Sequence, residues 1–154
     1  IGTAESLHSA NRGEHISVIF INNAVYGMTG GQMAPTTLVE QKTTTTPRGR
    51  NPLNDGYPLH LTDALAGFPG VTYAERVAVD GPAGIQKTRK AIRNAFQCQV
   101  DGLGYSIVEV LSPCPTNWKM SPVEGFTWVK EVMSKEFPTG ILADRREERR
   151  AYAG

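Results

Sequence analysis

Residues 16–21 read Ile16-Ser17-Val18-Ile19-Phe20-Ile21, and they run directly into Asn22-Asn23-Ala24-Val25-Tyr26-Gly27-Met28-Thr29-Gly30-Gly31-Gln32. The first six are short, apolar and rich in β-branched residues, which favours a buried strand over a helix. At its carboxyl end the chain releases two carboxamides, then a loop holding three glycines and a threonine. That edge is where open α/β sheets bind ligands. Glycine backbone with free N–H groups there suits a phosphate. A hard cation such as Mg²⁺ wants about six oxygens, often shared between protein, phosphate and water. The Asn23 carboxamide and the Val25 carbonyl can supply two, leaving N–H groups around Thr29, Gly30 and Gly31 for a diphosphate. The competing reading of Asn22-Asn23 alone is a turn that closes the strand.

The flanking pattern supplies the rest of an α/β domain. Residues 3–11 read as a helix, stopped by Asn11-Arg12-Gly13 as by a glycine cap. Residues 34–57, rich in Thr, Pro, Gly and Asn, show no periodicity, and a loop that long is functional or disordered as a rule. Leu59–Ala66 reads as a short helix and Tyr73–Val79 as a strand. A longer helix starts at Gly81-Pro82, and Ile85, Thr88, Ile92, Ala95, Phe96 and Val100 recur at the spacing of one buried face. Tyr105–Leu111 is the next strand, broken by Ser112-Pro113-Cys114-Pro115. Ser121-Pro122-Val123-Glu124 opens a last strong helix as a capping box, with Phe126, Val129, Met133 and Phe137 inward. The tail 144–150 alternates charges, as a solvated terminal helix or frayed end does. The β–α alternation predicts a mostly parallel sheet with helices on both faces, and a single domain over 1–154.

Composition excludes several classes. The chain has 154 residues, 40% hydrophobic and 20% charged, with a formal net charge of +1. Nothing here suggests a nucleic-acid surface. No apolar run approaches the roughly 18 residues of a membrane span, and no signal peptide opens the chain. The two cysteines, Cys98 and Cys114, do not form a disulfide framework, which points to a reducing compartment and the cytoplasm. The first residues read as a helix with no strand before it, so the sequence is expected to be a carboxyl-terminal portion of a longer chain.

The run 22–32, continued by Met33-Ala34-Pro35-Thr36-Thr37, resembles the second half of the thiamine-diphosphate signature of 2-oxoacid:ferredoxin oxidoreductases, in their β subunit. Leu111-Ser112-Pro113-Cys114-Pro115-Thr116-Asn117-Trp118 is similar to a downstream segment of the same family. The resemblance covers roughly residues 1–140 and implies a thiamine-diphosphate-binding fold, incomplete at its amino terminus. It makes Asn23 and Val25 ligands of Mg²⁺. It places Tyr26, Gly27, Thr29, Gly30 and Gly31 on the cofactor, has Gln32 support the loop, and sets Met28 near the thiazolium. The family's Gly-Asp-Gly, whose aspartate is the remaining protein ligand of Mg²⁺, has no room before Asn23, and Ile1-Gly2 matches the residues just after it. In many members the cysteine at the position of Cys114 is the fourth ligand of a [4Fe–4S] cluster.

The activity so implied is oxidative decarboxylation of a 2-oxoacid to its acyl-CoA, with ferredoxin accepting the electrons. Partners would be α and γ subunits, and the glutamate that activates the aminopyrimidine would come from a neighbouring subunit or domain. The Met28–Thr37 version looks closest to 2-oxoisovalerate or 2-oxoglutarate forms. Two alternatives stand beside this: a non-oxidative thiamine-dependent decarboxylase, which has no use for a cluster ligand at Cys114, and a cofactor-free assembly fragment with a disordered loop at 33–57. Cys98 reads as structural. His8, His15 and His60 lack metal spacing. Arg48 and Arg50 can bind a substrate carboxylate or coenzyme A phosphates, or be solvated loop charges. Lys87, Arg89, Lys90 and Arg93 form the exposed face of a helix.

Overall fold

Three strands carry the molecule: β1 (Ser17–Asn22), β4 (Val71–Ala78) and β5 (Tyr105–Leu111). In the computed structural model, which describes residues 2–153, they lie in the spatial order β1-β5-β4 and all run parallel. A fourth strand, β6 (Gly140–Asp144), lies antiparallel on the far side of β4. Two further strands, β2 (Val25–Tyr26) and β3 (Gln32–Met33), make a small hairpin off the carboxyl end of β1. This is the mostly parallel sheet with helices on both faces that the alternation implies. The match proposed for Ile1 lies outside the described residues.

Each face of the sheet has its own core. Against one pack α1 (Thr3–Arg12) and α3 (Leu61–Ala66), with Ala10, Leu65, Val71, Ala74, Tyr105 and Ile107 buried together. Gly13 closes α1 in the left-handed conformation, its N–H bonded back to Ala10. The other face takes α4 (Pro82–Val100), whose Ala91, Ala95 and Cys98 meet Tyr73, Val108 and Val110. Beyond the carboxyl ends sit two short helices, α2 (Pro52–Asp55) and α5 (Pro115–Trp118), and the pair α6 (Pro122–Trp128) and α7 (Ser134–Glu136) joined through a π-helical turn. Ser121 and Glu124 form the expected capping box, and Val129, Met133 and Phe137 are fully buried while Phe126 is half-buried. The last helix, α8 (Arg146–Ala153), ends the described chain.

Two expectations need correction. The buried face of α4 is Gly84, Thr88, Ala91, Ala95 and Cys98, whereas Ile85, Phe96 and Val100 are exposed. Close approach decides this: a Cβ at Gly84 would lie 2.3 Å from the Ala78 carbonyl, so only small residues fit between helix and sheet. The tail is also not wholly solvated. Asp144 ends β6, and the guanidinium of Arg145 donates to the carbonyls of Val71 (2.7 Å) and Ala66 (3.1 Å).

The strands also carry a buried polar row. Arg76 on β4 donates through Nε to Glu109 on β5 (2.8 Å), and Glu109 accepts from Asn22 Nδ2 at the end of β1 (2.7 Å). Arg76 further pairs with Asp63 of α3, donates to the Pro138 carbonyl and lies over the Phe137 ring. The side chains of Arg76 and Glu109 are 0% and 2% exposed. Removing one partner strands a buried charge, so Arg76→Ala should cost about 3–5 kcal/mol in urea unfolding. The paired change Arg76→Met with Glu109→Leu should cost less than Arg76→Ala alone; an equal or greater loss would contradict this account of the row.

Candidate functional site

The two asparagines at the end of β1 part company. Asn22 is buried, its Nδ2 spent on Glu109 and its Oδ1 accepting the Ala24 N–H (3.1 Å). Ala24 holds a left-handed φ of 56° although it is not glycine, a conformation that persists where its surroundings over-determine it. Here they do: its N–H is held by Asn22, and its carbonyl accepts a 2.6 Å bond from Thr37 Oγ1. The turn leaves Asn23 half-buried, its Oδ1 engaged only by a long 3.4 Å contact from the Val25 N–H. Val25 is buried.

The glycine loop caps the hairpin. The N–H of Gly31 bonds the Tyr26 carbonyl (2.9 Å) and that of Gly30 the Gly27 carbonyl (3.3 Å), with φ of 78° and 119° at the two glycines, so these two N–H groups, expected to face a diphosphate, are instead engaged inside the loop. Thr29 and Gln32 brace each other across the loop: Thr29 Oγ1 donates to Gln32 Oε1 (2.7 Å), and Gln32 Nε2 returns to the Thr29 carbonyl (2.8 Å). Among the described residues, the N–H groups of Met28 and Thr29 donate to no protein acceptor. Met28 is wholly exposed and Tyr26 is 53% exposed, so Tyr26 does not pack into the core. Gly27 is enclosed; a Cβ there would lie 3.2 Å from Asn117 Nδ2 and Cys114 Sγ, and 3.3 Å from Asn23 Nδ2.

Cys114 thus stands beside the loop although the sequence separates them widely. It is half-buried at the start of α5, and Asn117 Nδ2 donates to its sulfur (3.1 Å) and to the Gly27 carbonyl (3.2 Å). A cleft of about 410 Å³ runs along Phe20, Asn23, Val25 and Tyr26 towards Pro35 and Leu59. The larger cleft of about 770 Å³, against α4 and β6, shares none of these residues. The described residues hold no cluster of three or more His, Cys, Asp or Glu fit for a metal. His60 bonds Glu136 (3.0 Å), while His8 and His15 are exposed.

The loop after the hairpin is ordered, and one of its two arginines is not a solvated charge. Arg50 is 4% exposed, and its guanidinium donates to the carbonyls of Pro35, Thr37, Asp55, Gly56 and Tyr57. All five of its N–H donors are consumed, so Arg50 has nothing left for a substrate carboxylate or a phosphate. Arg48 is exposed. The arginine instead winds residues 35–57 around itself, and Thr44 N–H bonds the Gly31 carbonyl (3.0 Å).

An open, mostly parallel sheet with a glycine loop at its carboxyl edge is the architecture of a diphosphate-cofactor-binding domain. The chain belongs to the family described as thiamine pyrophosphate enzyme, C-terminal TPP binding domain, whose model matches residues 2–110. It is 49% identical over 148 residues to ketoisovalerate oxidoreductase subunit VorA of Methanothermobacter thermautotrophicus, covering 96% of this chain and 31% of that protein. To 2-oxoglutarate synthase subunit KorB of Archaeoglobus fulgidus it is 37% identical over 131 residues, 85% of this chain and 45% of that one. In fold it resembles a solved 2-oxoglutarate:ferredoxin oxidoreductase from Magnetococcus marinus, with a TM-score of 0.70 at 20% identity, over 99% of this chain and 58% of that one. The chain therefore spans about a third to a half of the length of these curated relatives. No helix among the described residues is long and apolar enough to cross a membrane.

If Arg50 organises the loop, Arg50→Met should unfold it locally. Limited proteolysis should then cut within 35–57, and stability should fall by about 2–4 kcal/mol from stranded carbonyls. Arg50→Lys, with three donors and no planar fork, should rescue little; a fully protected loop in either variant would contradict the assignment.

Proposed function

We propose that this chain is the thiamine-diphosphate-binding part of an oxidoreductase that oxidatively decarboxylates a 2-oxoacid to its acyl-CoA. On this reading residues 1–154 form a single domain of the subunit, and the substrate is a branched-chain 2-oxoacid or 2-oxoglutarate. The other subunits, coenzyme A and ferredoxin are its partners, and the enzyme works in the cytoplasm. What carries the reading is the convergence of Asn23, the glycine loop and Cys114 on Gly27.

The residues present fit the cofactor. Asn23 Oδ1 has only a long contact to lose, and with the Val25 carbonyl it offers two of the oxygens a Mg²⁺ ion requires. The Met28 and Thr29 N–H groups are unspent and suit the diphosphate, while the Thr29–Gln32 brace holds the loop in shape. When bound, thiamine diphosphate supplies the carbanion chemistry that a 2-oxoacid needs to lose CO₂. Met28, fully exposed, is free to lie against the cofactor. On this reading the glutamate that activates the aminopyrimidine comes from a neighbouring subunit or domain.

Cys114 fits the thiolate ligand of a [4Fe–4S] cluster. The chain holds only one other cysteine, and Cys98 is fully buried, so three further ligands would come from residues outside this sequence. The polar surroundings of Cys114 speak against the non-oxidative decarboxylase, for which the sulfur should lie among apolar side chains. The ordered Arg50 loop speaks against a cofactor-free fragment.

Titration calorimetry checks the site. Joined to the Gly-Asp-Gly segment that the family places before it, the chain should bind thiamine diphosphate only with Mg²⁺ present, and Asn23→Ala should weaken binding about tenfold or more. Binding that is indifferent to both EDTA and Asn23→Ala would overturn the metal assignment.

A further inference from the structure

Asn117 joins segments 90 residues apart in sequence. It lies on α5, one turn after Cys114, and its amide points both ways: one hydrogen to the Gly27 carbonyl at 3.2 Å, the other to Cys114 Sγ at 3.1 Å. Its Oδ1 also stands over Gly31, where an added Cβ would lie 2.7 Å from it. Gly31 is thus required by a neighbouring side chain as well as by its left-handed backbone. A bond of one carboxamide to a loop carbonyl and to a sulfur means that neither can move without the other losing a donor.

We propose that Asn117 is a positioning residue that couples the glycine loop to the Cys114 thiol, so that a diphosphate seated on the loop changes how Cys114 is held. The cofactor half of this inference rests on the function proposed above, while the coupling of loop to thiol stands without it.

The test reads the rate at which Cys114 is alkylated by a maleimide in the whole chain, by mass spectrometry, with buried Cys98 as the unreactive internal reference. Asn117→Ala and Gly31→Ala should each speed labelling about fivefold, and the double variant should be no faster than Asn117→Ala alone. Asn117→Leu keeps the size but cannot donate and brings no charge to the sulfur, and should behave as Asn117→Ala; circular dichroism confirms that each variant is folded. Additive single effects, or an unchanged rate in Asn117→Leu, would overturn the coupling. With saturating thiamine diphosphate and Mg²⁺, the wild-type rate should change about threefold, and Asn117→Ala should bind the cofactor with no such change. A cofactor effect that persists in Asn117→Ala sinks the proposal. Absence of binding by the wild type counts against the proposed function instead, and the substitution cycle then decides this inference alone.

Discussion

A carboxylate buried between a guanidinium and a carboxamide organises the carboxyl edge of this sheet. Glu109 takes Arg76 Nε on one oxygen and Asn22 Nδ2 on the other, and so ties β4, β5 and β1 together at the level where their loops depart. Two buried charges are expensive to remove from water, and the arrangement persists only because nearly every donor is answered. Asp63, the Pro138 carbonyl and the Phe137 face complete the shell of Arg76 and draw α3 and the helical segment after β5 onto the same point. The polar row is therefore also a clamp on which elements can meet at this edge.

From that clamp the geometry of the candidate site follows. Because Asn22 is consumed inward, the following residue alone of the pair remains available to a ligand. The left-handed Ala24, held by Asn22 and Thr37, turns the chain so that Asn23 and Val25 come at the strand end rather than continuing the sheet. Holding a non-glycine residue there costs on the order of 1–3 kcal/mol, and the Arg50-centred loop contributes the packing that offsets it. Asn117 and Cys114 close the arrangement from the opposite side, on a turn set by the prolines at 113 and 115.

Much of this was legible in the sequence, for reasons that differ by element. The strand before Asn22, the strand 105–111, the Gly13 cap and the Ser121 capping box are local features, written in periodicity and in single residues with one conformational preference. The face of α4 was not legible, because hydrophobicity marks Ile85 and Phe96 while close packing on the sheet selects Gly84, Ala91 and Ala95. Arg50 could not be told from a solvated arginine, since its five carbonyl partners are set by loop conformation. The short β6 lacked the length to stand out. Glu109 carries a signal of its own: a lone charge in a mostly apolar strand requires a buried partner. Asn117 lay in plain view within the segment after Cys114, but its role depends on a contact across the whole chain.

On the proposed function, residues 22–32 form half of a thiamine-diphosphate site, in which Asn23 and Val25 would hold the metal and the loop the phosphates. The most direct test of this is a crystal structure of the chain with thiamine diphosphate and Mn²⁺ in place of Mg²⁺, located by anomalous scattering. The account predicts a manganese peak about 2.0–2.3 Å from both Asn23 Oδ1 and the Val25 carbonyl, with diphosphate oxygens over the Met28 and Thr29 N–H groups. A cofactor bound elsewhere, or a metal that leaves Asn23 uncoordinated, would contradict it.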